Sequence, residues 1–403
     1  MRRLWYFPLE PYPERYTVQL SKAEDGWLER NWREHGVDYR RIEGSSLNKE
    51  ITVGSVLDAC GRGYWALSQV QEALRLLNDG EISSNDVFYF DDFWHPGIEA
   101  LQYAFDLMHV HPRMYAMLHA QSVDIHDFTY PMRHWMRHFE LGNAKCLSGI
   151  FVTSTCLRDL CVYAGIGDED TVHLTGLPYN SKEVMTHVDT RAVRPTKRKK
   201  QVIWSSRWDK EKDPGFFLNV IGEIVSSRGR DDIKFVITTS ASQMRSNNPR
   251  LLYLLDTALK VYGKDVIDVR VGQTKEQYYE NLLESSVQFN CAHQDFVSWT
   301  LLEATTMGCI PVYPYWLSFP EVLKFSTLMY PKGDVYGAAN RIIQWIDKRD
   351  ARPEDFTVDT FRWVYEPFDR SWERMLQVMR HDDDRLVPDY DPLFTGEPGV
   401  GFL

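Results

Sequence analysis

Twice along this chain, short apolar runs alternate with longer stretches whose apolar residues recur every three or four positions. In the first series the expected strands are Leu4 to Leu9, Asp86 to Phe90, Met114 to His119, Gly149 to Thr153 and Thr171 to Leu174, with helices over Val56 to Leu77 and Ile98 to His109. The second series runs from a strand at Gln201 to Ser205 through strands at Lys234 to Thr238, Val266 to Val271, Val287 to Cys291 and Ile310 to Tyr313. Its intervening helices are expected over Gly215 to Ser227, Arg250 to Tyr262, Lys275 to Glu284 and Thr300 to Met307. Strands that alternate with helices pair in parallel, because each crossover spends a helix returning the chain to the same edge. The spacing therefore predicts an α/β chain with two doubly wound sheets in tandem, whose strand C-termini and any ligand share a cleft.

A length of 403 residues supports the same division, since one hydrophobic core rarely serves so long a chain. A polar stretch, Ser181 to Lys200, parts the two series and ends in six cations within ten residues, from Arg191 to Lys200. The expected organisation is a first domain over 1–185, a basic linker over 186–200 and a second domain over 201–360. A helix over 361–380, centred on Phe361 to Met379, is expected to return to the first domain, and 381–403 reads as a tail with Asp382-Asp383-Asp384 in it.

Charge and cysteine usage exclude several classes. The net charge of -11 is concentrated early: residues 1–190 carry 17 basic and 27 acidic side chains, the remainder 29 and 30. A uniformly basic nucleic-acid coat is excluded, although a local patch is not. Six cysteines without a C-x-x-C pair, set mostly among apolar neighbours, suit reduced thiols and a cytosolic location rather than a disulfide framework or zinc site. The opening apolar run before Pro8 is too short for a signal-peptide core, and no window has the apolar length of a membrane span.

The densest chemistry lies at Asp295-Phe296-Val297-Ser298-Trp299-Thr300-Leu301-Leu302-Glu303, followed by Ala304 and Gly308-Cys309-Ile310-Pro311-Val312. An acid at a strand end precedes a loop and then a helix whose first N–H groups and positive dipole end suit a diphosphate. Glu303, inside that helix, is able to accept hydrogen bonds from paired sugar hydroxyls. Upstream, Ser206-Arg207-Trp208-Asp209-Lys210-Glu211-Lys212 follows a strand, so Arg207 and Lys212 are placed to grip the same diphosphate from the other side. The plainer alternative for this pair is a solvated loop in which Asp209, Glu211 and Asp213 neutralise it.

Asp295-x7-Glu303, Ala304-x3-Gly308-x2-Pro311-Val312 and Ser206-Arg207-Trp208-x3-Lys212 together resemble the E-x7-E motif region of retaining GT-B glycosyltransferases, family-4-like enzymes that use nucleotide sugars. Gly176-Leu177-Pro178-Tyr179-Asn180 resembles the turn by which that family leaves its first domain; the resemblance is confined to residues 171–315. It implies two Rossmann-like domains facing across a cleft, the first binding an acceptor hydroxyl and the second a nucleotide-diphosphate sugar such as a UDP-sugar. It implies transfer of a hexosyl or pentosyl group with retention. Arg207 and Lys212 would hold the diphosphate and Glu303 the ribose. Asp295, where the family usually has a glutamate, would hold sugar hydroxyls, with Phe296, Val297 and Ser298 as backbone donors. With two cations and a helix end at the leaving group, no cofactor or divalent metal is expected to be obligatory. The D-x-D triplet Asp168-Glu169-Asp170 reads as a solvated turn.

The first half departs from that family, because its first strand leads into Leu9-Glu10-Pro11-Tyr12-Pro13-Glu14-Arg15-Tyr16-Thr17 and not into a glycine-rich loop. His119 ends a strand where the family often has a histidine near the transferred sugar; a hydrogen-bonded core histidine is the plainer account. Asp91 and Asp92 also end a strand, and one of them is suited to accept the acceptor proton, against the alternative that they cap the helix after Pro96-Gly97. Arg133 and Arg137, in Arg133-His134-Trp135-Met136-Arg137-His138, interleave with an aromatic in a pattern able to touch phosphates and stack bases, or form one face of a helix.

This half resembles, without a sharp motif, phage-encoded enzymes that glycosylate hydroxymethylated DNA bases. That implies duplex DNA as acceptor and, for a phage-encoded protein, the host cytoplasm as location. A lipid or saccharide acceptor, a nucleotide-sugar epimerase and a non-catalytic nucleotide-sugar-binding module stay open.

Overall fold

The computed structural model describes residues 3–12, 17–21, 24, 26–28, 38–47, 59–119, 122, 124–127, 129–188 and 197–380. Most of the basic run from Arg191, and the whole segment 381–403, lie outside the described residues.

The first sheet contains β1 (Arg3–Phe7), β2 (Asp38–Arg41), β3 (Val87–Phe90), β4 (Arg113–Met117), β5 (Gly149–Val152) and β6 (Val172–Leu174), in the order β2-β1-β3-β4-β5-β6. Every neighbouring pair is parallel. β3, Val-Phe-Tyr-Phe, is buried at all four positions, as expected of a strand covered on both faces. Alternation then sorts its neighbours. Trp5, Phe7, Phe88 and Phe90 meet α1 (Ala59–Asn78) and α2 (Ile98–Met108) on one face, while Leu4, Tyr6, Val87 and Tyr89 point to the other.

That second face is covered from the far end of the chain. The helix expected over Phe361 to Met379 is two helices, α12 (Arg362–Asp369) and α13 (Ser371–Arg380), broken at Arg370. Val364, Tyr365 and Phe368 of α12 belong to the core of the second lobe. Trp372, Met375, Leu376 and Met379 of α13 lie on the first sheet. The break is the point where the chain changes lobes, which one straight helix does not allow.

The other crossing runs alongside. Asp369 accepts hydrogen bonds from the Ser181 N–H (2.7 Å) and hydroxyl (2.5 Å), Ser371 Oγ donates to the Leu177 carbonyl (3.1 Å), and Arg374 Nε to that of Thr175 (2.9 Å). Ser181 to Thr186, the start of the expected polar stretch, forms the short helix α5, with Asn180 accepting from the Glu183 N–H at its start.

The second sheet contains β7 (Lys199–Trp204), β8 (Lys234–Thr238), β9 (Ile267–Arg270), β10 (Ser285–Phe289), β11 (Ile310–Tyr315) and β12 (Met329–Pro331), again all parallel, in the order β12-β11-β10-β7-β8-β9. Phe217, Val220 and Ile221 of α6 (Pro214–Gly222) and Ala338, Ala339, Ile342 and Ile346 of α11 (Val335–Ala351) join its core. β2 and β12 were not expected. β2 is a mostly half-buried charged edge, Asp-Tyr-Arg-Arg, and β12 spans three residues, so neither shows apolar alternation.

Candidate active site

In the second sheet the chain moves outward from β7 through β8 and β9, then returns to the other side of β7 with β10. The crevice at such a reversal, beyond the strand C-termini, is where open parallel sheets bind ligands. The two loops that open there carry Arg207 and Lys212 after β7, and Asp295 to Ser298 after β10.

These loops are joined by named contacts. Lys212 Nζ donates to the Gln294 carbonyl at 2.8 Å and stands 3.5 Å from Asp295 Oδ2. The His293 N–H donates to the Glu211 carbonyl at 2.8 Å, and His293 Nε2 lies 3.1 Å from Asp213 Oδ2. Of the three acids that offered a solvated account, Glu211 pairs with Arg207 at 2.8 Å. Asp213 accepts from the Phe216 N–H at the start of α6, and Asp209 from the Asn247 N–H. Lys212 is thus directed to Asp295 across the crevice, whereas Arg207 stays half-buried beside Glu211.

Ser298 begins α9 (Trp299–Thr306) without a side-chain cap, because its hydroxyl faces Thr300 Oγ1 (2.9 Å) and Tyr313 OH (3.4 Å). First-turn N–H groups left without a side-chain cap suit an anion. Val297 packs on the second core, but the Phe296 side chain is inserted into the core of the first lobe. Burying such a ring is worth roughly 1.5–3 kcal/mol, so it also ties the loop to the facing lobe.

Glu303 is buried, and three donors reach its Oε1: Lys275 Nζ at 2.9 Å and Tyr279 OH at 2.9 Å from α8 (Lys275–Glu284), and Trp299 Nε1 at 3.2 Å. Gln19, from the first lobe, accepts from Trp299 Nε1 at 3.3 Å and donates to Tyr279 OH at 2.7 Å. Lys275, Tyr279 and Gln19 lie outside the motifs legible in the sequence. Only Lys275 and Tyr279 carried a signal, four residues apart on an expected helix.

Facing this crevice is the switch point of the first sheet, between β1 and β3. Asp91 is buried; its Oδ2 accepts from Tyr6 OH (2.6 Å) and the Leu9 N–H (3.2 Å), and burial pushes its carboxyl well above the ordinary range. Glu24 also meets the Tyr6 hydroxyl. Asp92 pairs with Arg62 and accepts from the Trp94 N–H. Neither acid caps α2, whose N-cap is Gly97 with no side-chain bond. His119 Nε2 lies 2.7 Å from the Asp91 carbonyl, and burial lowers its pKa to about 4.

The loop after β4 brings the lobes together. The rings of His126 and His293 stack at 5.3 Å, and Asp124, raised by burial, is drawn back by the His126 N–H and by the charge of Lys212. Arg133 and Arg137 lie on α3 (Arg133–Cys146). Arg133 is exposed and covers the Tyr130 ring at 4.1 Å; Trp135 is exposed beside it, while Arg137 turns toward buried Glu140 at 3.9 Å. Asp168 closes a surface turn, its Oδ1 accepting from the N–H groups of Asp170 (3.2 Å) and Thr171 (2.9 Å).

No family model matches the chain. A tRNA-queuosine alpha-mannosyltransferase of Drosophila melanogaster is 23% identical over 172 residues, 40% of this chain and 41% of that protein. The matched stretch thus spans about two-fifths of the curated relative's length. Among solved structures, HepE of Anabaena in complex with UDP superposes with a TM-score of 0.63 at 9% identity, covering 94% of this chain and 99% of that one. A sucrose-phosphate synthase of Thermosynechococcus elongatus gives 0.56 at 11% identity, covering 94% and 95%. This likeness establishes the fold: two Rossmann-like domains facing across a cleft, the GT-B arrangement.

Proposed function

We propose that this GT-B protein is a retaining glycosyltransferase that moves a sugar from a nucleotide-diphosphate donor to a hydroxyl on a modified nucleobase. The observation that carries the reading is Lys212 facing Asp295 beside the uncapped start of α9, at the switch point of the second sheet. A pyrophosphate seated there meets an ammonium and backbone N–H groups, with the Arg207 guanidinium on the same loop. Charge developing on the leaving group is then stabilised by groups already in place. Glu303 would hold the ribose, and Asp295 the hydroxyls of the transferred sugar. Backbone groups of Phe296, Val297 and Ser298 complete the donor site. Departure of the diphosphate leaves an oxocarbenium-like centre that the acceptor attacks from the same face. Two cations and a helix end supply the neutralisation, so a chelator should leave turnover unchanged.

A nucleobase acceptor is supported by two observations. The relative from Drosophila is described as acting on tRNA-queuosine, a modified nucleoside. Exposed Trp135 and the Arg133–Tyr130 pair offer stacking and phosphate contacts on α3. Asp91 and Asp92, at the first switch point, would receive the acceptor hydroxyl. His119, neutral above about pH 4, would act there as a hydrogen-bonding group near the sugar and not as an acid. A hydroxymethylated pyrimidine in phage DNA and a hydroxyl-bearing tRNA base both meet this description.

The test offers UDP- and GDP-sugars without acceptor, then with hydroxymethylated duplex DNA, queuosine-containing tRNA, a lipid or a simple saccharide. Slow release of free sugar and glycosylation of a nucleic acid with retained configuration are expected. Stabilisation by nucleotide without turnover would establish a binding module instead, an isomerised sugar still on nucleotide an epimerase, and transfer only to lipid or saccharide would reject the nucleobase.

A further inference from the structure

Tyr279 OH, Lys275 Nζ and Trp299 Nε1 all converge on one oxygen of Glu303, Oε1, and the Tyr278 hydroxyl also lies beside this carboxylate. A carboxylate used this way has one oxygen anchored and one left for a ligand. Two of the three donors do not hold themselves. The phenol of Tyr279 and the indole of Trp299 both meet Gln19, the amide donating to one at 2.7 Å and accepting from the other at 3.3 Å. Gln19 is almost wholly buried and lies 260 residues from Tyr279 in sequence, in the opposite lobe.

We propose that Gln19 is a positioning residue of the nucleotide site: by fixing Tyr279 and Trp299 on Oε1, it aims Oε2 of Glu303 at the ribose diol. The donor site is then complete only when the first lobe contributes this amide. The physical case rests on direction. A phenol O–H takes either of two orientations near the ring plane, and the Gln19 Nε2–H group occupies one side of the Tyr279 oxygen, so the O–H is directed to Glu303. The Trp299 N–H is shared between Gln19 Oε1 and Glu303 Oε1, which fixes the indole plane between them. Both rings are packed in the second core, so what Gln19 adds is direction: without it the Tyr279 hydroxyl loses the bond that orients it, and the carboxylate is able to rotate both oxygens into the protein.

The inference rests on Glu303 binding the ribose, and the experiment separates the two. UDP and GDP are each compared with their 2′,3′-dideoxy forms by calorimetry, and the tighter pair is carried forward. The wild type should prefer the diol by about tenfold or more, the scale of a hydrogen bond to a charged group. Gln19→Ala should bring that ratio close to one and raise KM for the nucleotide sugar by about tenfold, with kcat within about twofold. Gln19→Asn, which keeps the amide but is shorter, should restore part of the ratio, and Gln19→Leu none.

If Gln19→Ala weakens both nucleotides equally, the residue merely joins the lobes and the proposal fails. If Glu303→Ala keeps the wild-type ratio, the ribose assignment fails and the proposal with it. If Glu303→Ala loses the ratio and Gln19→Ala keeps it, the proposal alone fails.

Discussion

Lys212 and Asp295 stand 3.5 Å apart, Nζ to Oδ2, on loops that leave neighbouring parallel strands in opposite directions. The ammonium is also held by the Gln294 carbonyl, so it is in place before any ligand arrives. An anion seated there requires no rearrangement of the cation, which is what makes a preorganised group worth more than a flexible one.

Lys212→Ala and Arg207→Ala are each expected to lower turnover of the nucleotide sugar by about two to three orders of magnitude. The Arg207 side chain supports no core contact, so the Arg207→Ala melting temperature should stay within about 2 °C of wild type, whereas Lys212→Ala, which leaves the Gln294 carbonyl and Asp295 without their partner, should be measurably less stable. Near-wild-type turnover in both variants would remove the assignment of the leaving-group site.

Glu321, in α10 (Phe319–Leu323) of the second lobe, accepts hydrogen bonds from the N–H groups of Thr155 (2.9 Å) and Cys156 (3.2 Å) at the start of α4 (Thr155–Tyr163) in the first. A carboxylate at a helix N-terminus is favoured by the unpaired donors and the dipole. Glu321→Ala should cost about 1 kcal/mol in urea unfolding and broaden the interlobe distance distribution in solution scattering. Unchanged scattering and stability would show that the contact holds nothing.

His119 and His95 make stability depend on pH in a defined direction. Burial lowers His119 to about 4 and His95 to about 3, below the unfolded value near 6.5. Between those values the unfolded chain binds a proton that the folded chain does not, so stability is complete above about pH 6.5 and falls as pH drops toward 4. His119→Gln should flatten this slope by about 1–3 kcal/mol over the window. Asp91, raised by burial, opposes the trend, because its folded-state proton is lost as pH rises. Equal slopes in wild type and His119→Gln, measured by denaturant titration at several pH values, would contradict the buried neutral imidazole.

Gly176 sits at the lobe crossing with φ +80°, and a Cβ there would lie 2.7 Å from Ser371 Oγ and 3.4 Å from Phe368 Cδ1. Gly176→Ala should therefore lose more than about 1 kcal/mol, from backbone strain and displacement of the α12–α13 junction. Gly63, in α1 with ordinary backbone and no atom within 4 Å of a Cβ, provides the contrast. Gly63→Ala should be stabilising by roughly 0.5–1 kcal/mol. A thermal melt that ranks the two the other way would refute the crossing's tightness.

The parallel sheets were legible because β3 and the Phe235-Val236-Ile237 centre of β8 are apolar runs, and burial on both faces writes itself directly into sequence. The break at Arg370 was missed although Pro367 stands three residues before it, since both halves keep helical periodicity and only their destinations differ. The same division runs through the first lobe. Asp91 and Asp92 were recognised as strand-end acids, but their side chains belong to Tyr6, Leu9 and Arg62 and not to the helix that follows them.

By itself the chain's order of residues determined the strand–helix alternation, the loops that carry Arg207 to Lys212 and Asp295 to Ser298, and the spacing of Asp295 from Glu303, all of them periodic or local features within one strand–loop–helix unit. Tertiary structure alone decided which oxygen of Glu303 is anchored, that Gln19 reaches it from the other lobe, and that Glu321 meets the start of α4. Those contacts join residues far apart in sequence and single in kind. A lone side chain has no period to reveal its partner, and only the packing of two lobes brings the pair within hydrogen-bonding distance.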